Sequence, residues 1–134
     1  MIEQRQPTNR PLRVVVVGPC ASGKSTLVRQ LRALGYNATA CGQEHSEIPT
    51  LWRHSEPDLL IALRVDLATV RQRRGTDWPE RLHEIQKLRL AAAYAAADLV
   101  LDSAALDAEA LRAAAVDLLR GREAAINRTA HQID

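Results

Sequence analysis

Apolar and polar positions alternate in blocks along this chain. Leu12 to Val17 is a short β-branched apolar run that stops at Gly18 and predicts a buried parallel strand. From Gly23 the period becomes helical. Leu27, Val28, Leu31 and Leu34 share one face, and Gly35 follows where a helix C′ glycine belongs. Residues 37–43, NATACGQ, are a weaker strand candidate. The next stretch, EHSEIPTLWRHSEP, is polar and broken by Pro49 and Pro57, which predicts a loop with one short helix. LLIALRV, residues 59–65, is a second buried strand, and Asp66 is placed to cap the helix after it. That helix is predicted to end near Arg74 and Gly75, with Leu67 and Val70 facing inward.

GTDWP then predicts a turn, with Pro79 in the first turn of a long helix reaching about Ala97. DLVLD, residues 98–102, is another short strand. The last helix is predicted from Asp107, its N-cap, with Leu106 and Leu111 as a hydrophobic staple, to an end at Gly121. These elements predict a three-layer α/β fold with helices on both faces of about four parallel strands, in the order 2-1-3-4. Residues 1–11 are expected to be a loose polar lead-in, 12–121 the folded domain that carries the glycine loop, and 122–134 a polar tail.

Composition narrows the class only a little. The 134 residues suit one domain, and 46% hydrophobic with 25% charged is ordinary for a globular protein. The chain has no Phe, so its core must be built from Leu, Val, Ile and Ala. A net charge of +2 and scarce aromatics argue against a nucleic-acid partner. No run of about 18 apolar residues is present to span a membrane, and MIEQRQPTNRPLR has no apolar signal core. A cytoplasmic protein is therefore expected. Cys20 and Cys41 read as two reduced thiols, and between them they lack the spacing of a zinc site.

GPCASGKS, Gly18 to Ser25, carries the chemistry. It fits G-x-x-x-x-G-K-[ST], between a predicted strand and a predicted helix. A triphosphate needs many donors at close range. A glycine loop lets backbone N–H groups turn around phosphate oxygens, and the helix N-terminus adds its positive end. The expected phosphate binders are Gly18, Cys20, Ala21, Ser22, Gly23, Lys24, Ser25 and Thr26. Lys24 is assigned to the β- and γ-phosphates, Ser25 to Mg²⁺ and Thr26 to the α-phosphate. The expected cofactors are thus ATP and Mg²⁺.

VRQRRGTDWPER places Arg71, Arg73, Arg74 and Arg81 around a short turn. They are either a solvated helix face or groups that stabilise charge on a transferring phosphoryl. Here the chain resembles the P-loop nucleoside and nucleotide kinases, the group of adenylate, shikimate and dephospho-coenzyme A kinases. The resemblance runs from about Arg13 to Leu119 and rests on the glycine loop, on LLIALRV leading to an arginine-ended helix, on a short lid and long helix, and on ADLVLDS, Ala97 to Ser103. It implies phosphoryl transfer from ATP to a small acceptor, Arg71 and Arg74 as lid arginines, and adenine near Asp102 to Ala104.

The sequence departs from that pattern in two ways. Only about twenty residues separate Gly35 from the next clear strand, which leaves no room for a helical acceptor-binding insertion. The chain also has no clear Walker B signature. The best substitute is GQEHS, Gly42 to Ser46, where Glu44 would hold a magnesium-bound water or take an acceptor proton, unless it is an exposed loop glutamate. His45 adjoins it. Trp52 with Arg53 lines an acceptor pocket or covers the core edge. Gln86 and Arg89 face the lid or form an exposed helix pair. Rival readings are a nucleotide-hydrolysing switch and a nucleotide-binding module without turnover. An enclosed pocket between Glu44, Trp52 and the lid arginines would mark a kinase, and an exposed apolar patch by the glycine loop a switch.

Overall fold

A computed structural model describes residues 11–133. The strands are β1 (Arg13–Val17), β2 (Asn37–Ala40), β3 (Leu59–Arg64) and β4 (Leu99–Asp102). The helices are α1 (Lys24–Ala33), α2 (Leu67–Arg74), α3 (Glu80–Ala96) and α4 (Ala108–Ile133). All strand pairs are parallel, in the order β2-β1-β3-β4, with Val14 opposite Ala38, Val16 opposite Ile61 and Ala62 opposite Val100. This is the expected order.

The period of two in β1 explains the layers. Val14 and Val16 point to one face of the sheet, where they meet Leu27, Val28 and Leu31 of α1 and Leu111, Ala115 and Leu119 of α4. Val15 and Val17 point to the other face, against Leu90 and Ala93 of α3 and Trp52 of the β2–β3 connection. A strand covered on both sides reads as a continuous apolar run, which is why VVVV and LLIAL stood out. Burying each such side chain contributes about 1.5–3 kcal/mol relative to exposure.

The β2–β3 connection departs from the single short helix expected. It forms two 3₁₀ turns, Gln43–His45 and Leu51–Ser55. Gln43, which is fully buried, organises both. Its Nε2 donates to the carbonyls of Ile48 (2.7 Å) and Arg89 (3.2 Å), and its Oε1 accepts from the Trp52 amide (3.0 Å). A polar side chain thus replaces a hydrophobic one as the anchor of an irregular segment.

The expected end of the last helix at Gly121 is corrected. α4 runs through Gly121 to Ile133, across the boundary drawn for a polar tail at 122–134. A glycine in a helix interior costs only about 1 kcal/mol against alanine, and the flanking Arg, Glu and Ala residues are strong helix formers. Arg122 also bonds Asp98 at the start of β4 (3.3 Å). The lead-in expected for residues 1–11 lies, apart from Pro11, outside the described residues. Among the described residues no helix is long and apolar enough to cross a membrane.

Candidate functional site

β1 delivers the chain to Gly18 at the C-terminal edge of the parallel sheet, where open α/β sheets leave a crevice for ligands. A Cβ on Gly18 would lie 2.6 Å from Ser22 Oγ and 3.1 Å from Leu63 Cβ, so only glycine lets the loop fold back on itself there. Gly23 has φ of 89° and Ala21 φ of 64°. These left-handed residues turn the loop into the first turn of α1. No side chain caps that turn. α2 differs, because Asp66 Oδ1 accepts from the Thr69 amide at 2.8 Å. α4 is capped in the same way by Asp107 through the Ala110 amide.

Lys24 bends back across the loop. Its Nζ donates to the Gly18 carbonyl (3.1 Å) and the Cys41 carbonyl (3.5 Å), and it pairs with Glu44 Oε2 at 2.5 Å. Glu44 is buried, so the reading of an exposed loop glutamate is corrected. The backbone explains why: β2 continues into a 3₁₀ turn that points Glu44 inward beside the glycine loop, and Arg89 holds its carbonyl at 3.3 Å. The second carboxylate oxygen, Oε1, is buried and has no hydrogen-bond partner. His45 is exposed, with Nε2 at 3.4 Å from Glu44 Oε2.

Two other side chains brace the loop. Gln86 of α3 is buried; its Oε1 accepts from the Cys20 amide (3.0 Å) and its Nε2 donates to Cys20 Sγ (3.2 Å). The exposed-pair reading of Gln86 and Arg89 is therefore corrected, since both face the loop segments. Arg73 donates to the Ala21 carbonyl (2.6 Å) and to the Ser103 carbonyl (2.7 Å), tying the glycine loop to the end of β4. Neither clamp had a signal in its own sequence neighbourhood. Each contact spans more than fifty positions or joins two separate elements, and only the packing of α2 and α3 against the loop creates it.

A cleft of about 300 Å³ brings Lys24, Ser25 and Thr26 together with Cys20, Glu44, His45 and Arg74. Of the two lid candidates only Arg74 lines it, and the Arg74 guanidinium lies 5.7 Å from the centre of the Trp78 ring. Arg71 instead donates to the Trp78 carbonyl (3.1 Å) within its own turn. Trp52 does not line the cleft; it is buried in the core beneath α3. Of the segment expected near an adenine, Ser103 lines a smaller cavity of about 110 Å³ between α1 and the start of α4. Ser22 Oγ and Gln30 Oε1, both without a hydrogen-bond partner, line the same cavity.

A larger cleft, about 690 Å³, lies elsewhere, between the ends of β3 and β4 and the α3 face carrying His83, Lys87 and Tyr94. Tyr94 donates to the Leu63 carbonyl at 2.9 Å, and burial pushes its pKa up to about 12. Burial also holds His83 below the ordinary histidine value. The glycine-loop cleft, though smaller, is the one where an uncapped helix, a lysine and two hydroxyl side chains converge. No family model matches the chain, and no curated protein matches it in a sequence search.

Proposed function

We propose that this chain is a small P-loop phosphotransferase, akin to the nucleoside and nucleotide kinases, that binds ATP with Mg²⁺ and passes the γ-phosphoryl group to a small acceptor. The observation that carries the reading is the uncapped N-terminus of α1 with Lys24 beside it in the cleft. Its free N–H groups and the positive end of the helix suit an anion, and the glycines let backbone approach it closely. The residues also fit the metal, since Ser25 and Thr26 bring hydroxyl oxygens and Glu44 a carboxylate to one cleft.

Bound ATP supplies the phosphoryl group. In this reading Ser25 and Glu44 would hold Mg²⁺, which would offset the phosphate charge. Lys24 exchanges Glu44 for the phosphate oxygens when a nucleotide enters. That exchange leaves the Glu44 carboxylate available to accept the proton of an acceptor hydroxyl. Arg74, on the rim, stabilises charge on the transferring group. Gln86 and Arg73 keep the loop amides in position.

A second reading, a nucleotide-hydrolysing switch, is favoured by one observation: Trp52 leaves the cleft without the acceptor wall expected of a kinase. The test is ATP turnover with Mg²⁺, alone and against nucleosides, nucleotides and small hydroxyl metabolites. Stimulation by one acceptor with a phosphorylated product supports the kinase. Turnover that no acceptor stimulates supports the switch, and failure to bind ATP overturns both.

A further inference from the structure

The donors on the wall of the glycine-loop cleft do not match magnesium alone. Cys20 Sγ, a Glu44 carboxylate oxygen and a His45 ring nitrogen all lie within 4.8 Å of one another. We infer that these three side chains form a site for a borderline-soft divalent metal, Zn²⁺, which shares Glu44 with the proposed magnesium position and is testable with no nucleotide present.

Donor type argues first. Magnesium takes hard oxygen ligands in octahedral geometry, whereas a thiolate and an imidazole with one carboxylate suit zinc. Spacing argues next. A tetrahedral zinc with bonds of about 2.0–2.3 Å holds its donor atoms roughly 3.3–3.8 Å apart. The present separations close to that range by small rotamer shifts, and His45 is exposed and free to make them.

Glu44 supplies the independent observation. Its carboxylate is 5% exposed, Lys24 satisfies one oxygen, and Oε1 is buried with no partner. An unpaired buried carboxylate oxygen is costly; His45 Nε2 lies 3.4 Å from the other oxygen, Oε2, so a metal bound by both carboxylate oxygens would satisfy it. The supporting contacts also fit. Gln86 Nε2 donates to Cys20 Sγ, which favours the sulfur as a ligand, and Arg89 fixes the Glu44 backbone. On binding, the Cys20 S–H bond breaks, the sulfur lone pair forms the metal bond, and the proton goes to solvent. All three donors share the cleft with Lys24 and Ser25, so the fourth ligand is water or whatever anion occupies the cleft. The sequence conceals this site because Cys20 and Cys41 do not share it, and the two partners of Cys20 arrive from the far end of β2.

The test uses the full untagged chain, kept reduced with a phosphine, without nucleotide. Co²⁺ is titrated for its thiolate charge-transfer absorption and Zn²⁺ by calorimetry. The expected result is one metal per chain with a charge-transfer band. Cys20→Ser should abolish the band and weaken Zn²⁺ at least a hundredfold. His45→Ala, at an exposed position, should weaken it at least tenfold with unchanged circular dichroism. Absence of the band in the parent chain overturns the site. So does a band that survives Cys20→Ser but is lost in Cys41→Ser, or Zn²⁺ affinity unaltered by His45→Ala.

Discussion

Helices α1 and α2 both begin where a buried parallel strand ends, yet they begin differently. α2 closes its own first turn through Asp66, whose carboxylate takes the Thr69 amide. α1 begins at a left-handed glycine with no side-chain cap, and its first residue is Lys24, whose ammonium folds back onto the Gly18 carbonyl. A helix that spends a side chain on its free N–H groups is finished as a structure. One that leaves them open at a glycine loop, with a lysine beside them, has a first turn suited to an anion, and on that the proposed function rests. The difference separates two crossovers that the hydrophobic pattern alone treats alike.

The comparison breaks most sharply at Lys24. Lys24→Ala should abolish turnover and weaken MgATP at least a hundredfold, about 2.7 kcal/mol. Calorimetry reading an unchanged affinity would remove the anion-binding role of α1. Arg74→Ala should lower kcat roughly tenfold while MgATP affinity stays within about threefold, because the side chain sits on the rim and acts on charge that develops late. An equal fall in both would assign it to ground-state binding.

Gln86→Ala sharpens the contrast from the side of stability. It strips the partner from the Cys20 amide and should cost about 1–3 kcal/mol in urea unfolding, with weaker nucleotide binding as the loop loosens. Asp66→Ala is expected to have the smallest effect. It should lower the melting temperature and leave nucleotide affinity untouched. The Thr69 hydroxyl, and then its amide, hold the Asp66 carboxyl below the ordinary carboxylate range. Its contribution is therefore complete above the unfolded value near 3.9 and is lost as pH falls through the lower folded value. The gap in melting temperature between parent and Asp66→Ala should close over that acidic window; a gap that persists below it would mean that the cap does not act through its charge.

The strands, the helices and their order followed from local pattern: VVVV and LLIAL from burial on two faces, the α2 start from Asp66, the α4 start from Asp107 with Leu106 and Leu111. The glycine loop was equally legible, because residues 18–25 are contiguous and the backbone demands on Gly18 and Gly23 are local. Gly121 misled because a glycine between good helix formers carries a penalty smaller than the gain from continuing α4.

What sits opposite the loop was decided only by tertiary structure. Gln86, Arg73 and Glu44 approach residues 18–24 from α3, α2 and the end of β2. Whether each points inward depends on how those elements pack, and no local period records that. Glu44 was placed at a strand end by sequence, but its burial, its pairing with Lys24 and its neighbours Cys20 and His45 arise from the 3₁₀ turn that Gln43 anchors. Local chemistry along the chain determines which segment forms the glycine loop and the uncapped start of α1. Long-range packing determines which side chains close around it, because side-chain direction at such a site is set by contacts far apart in sequence.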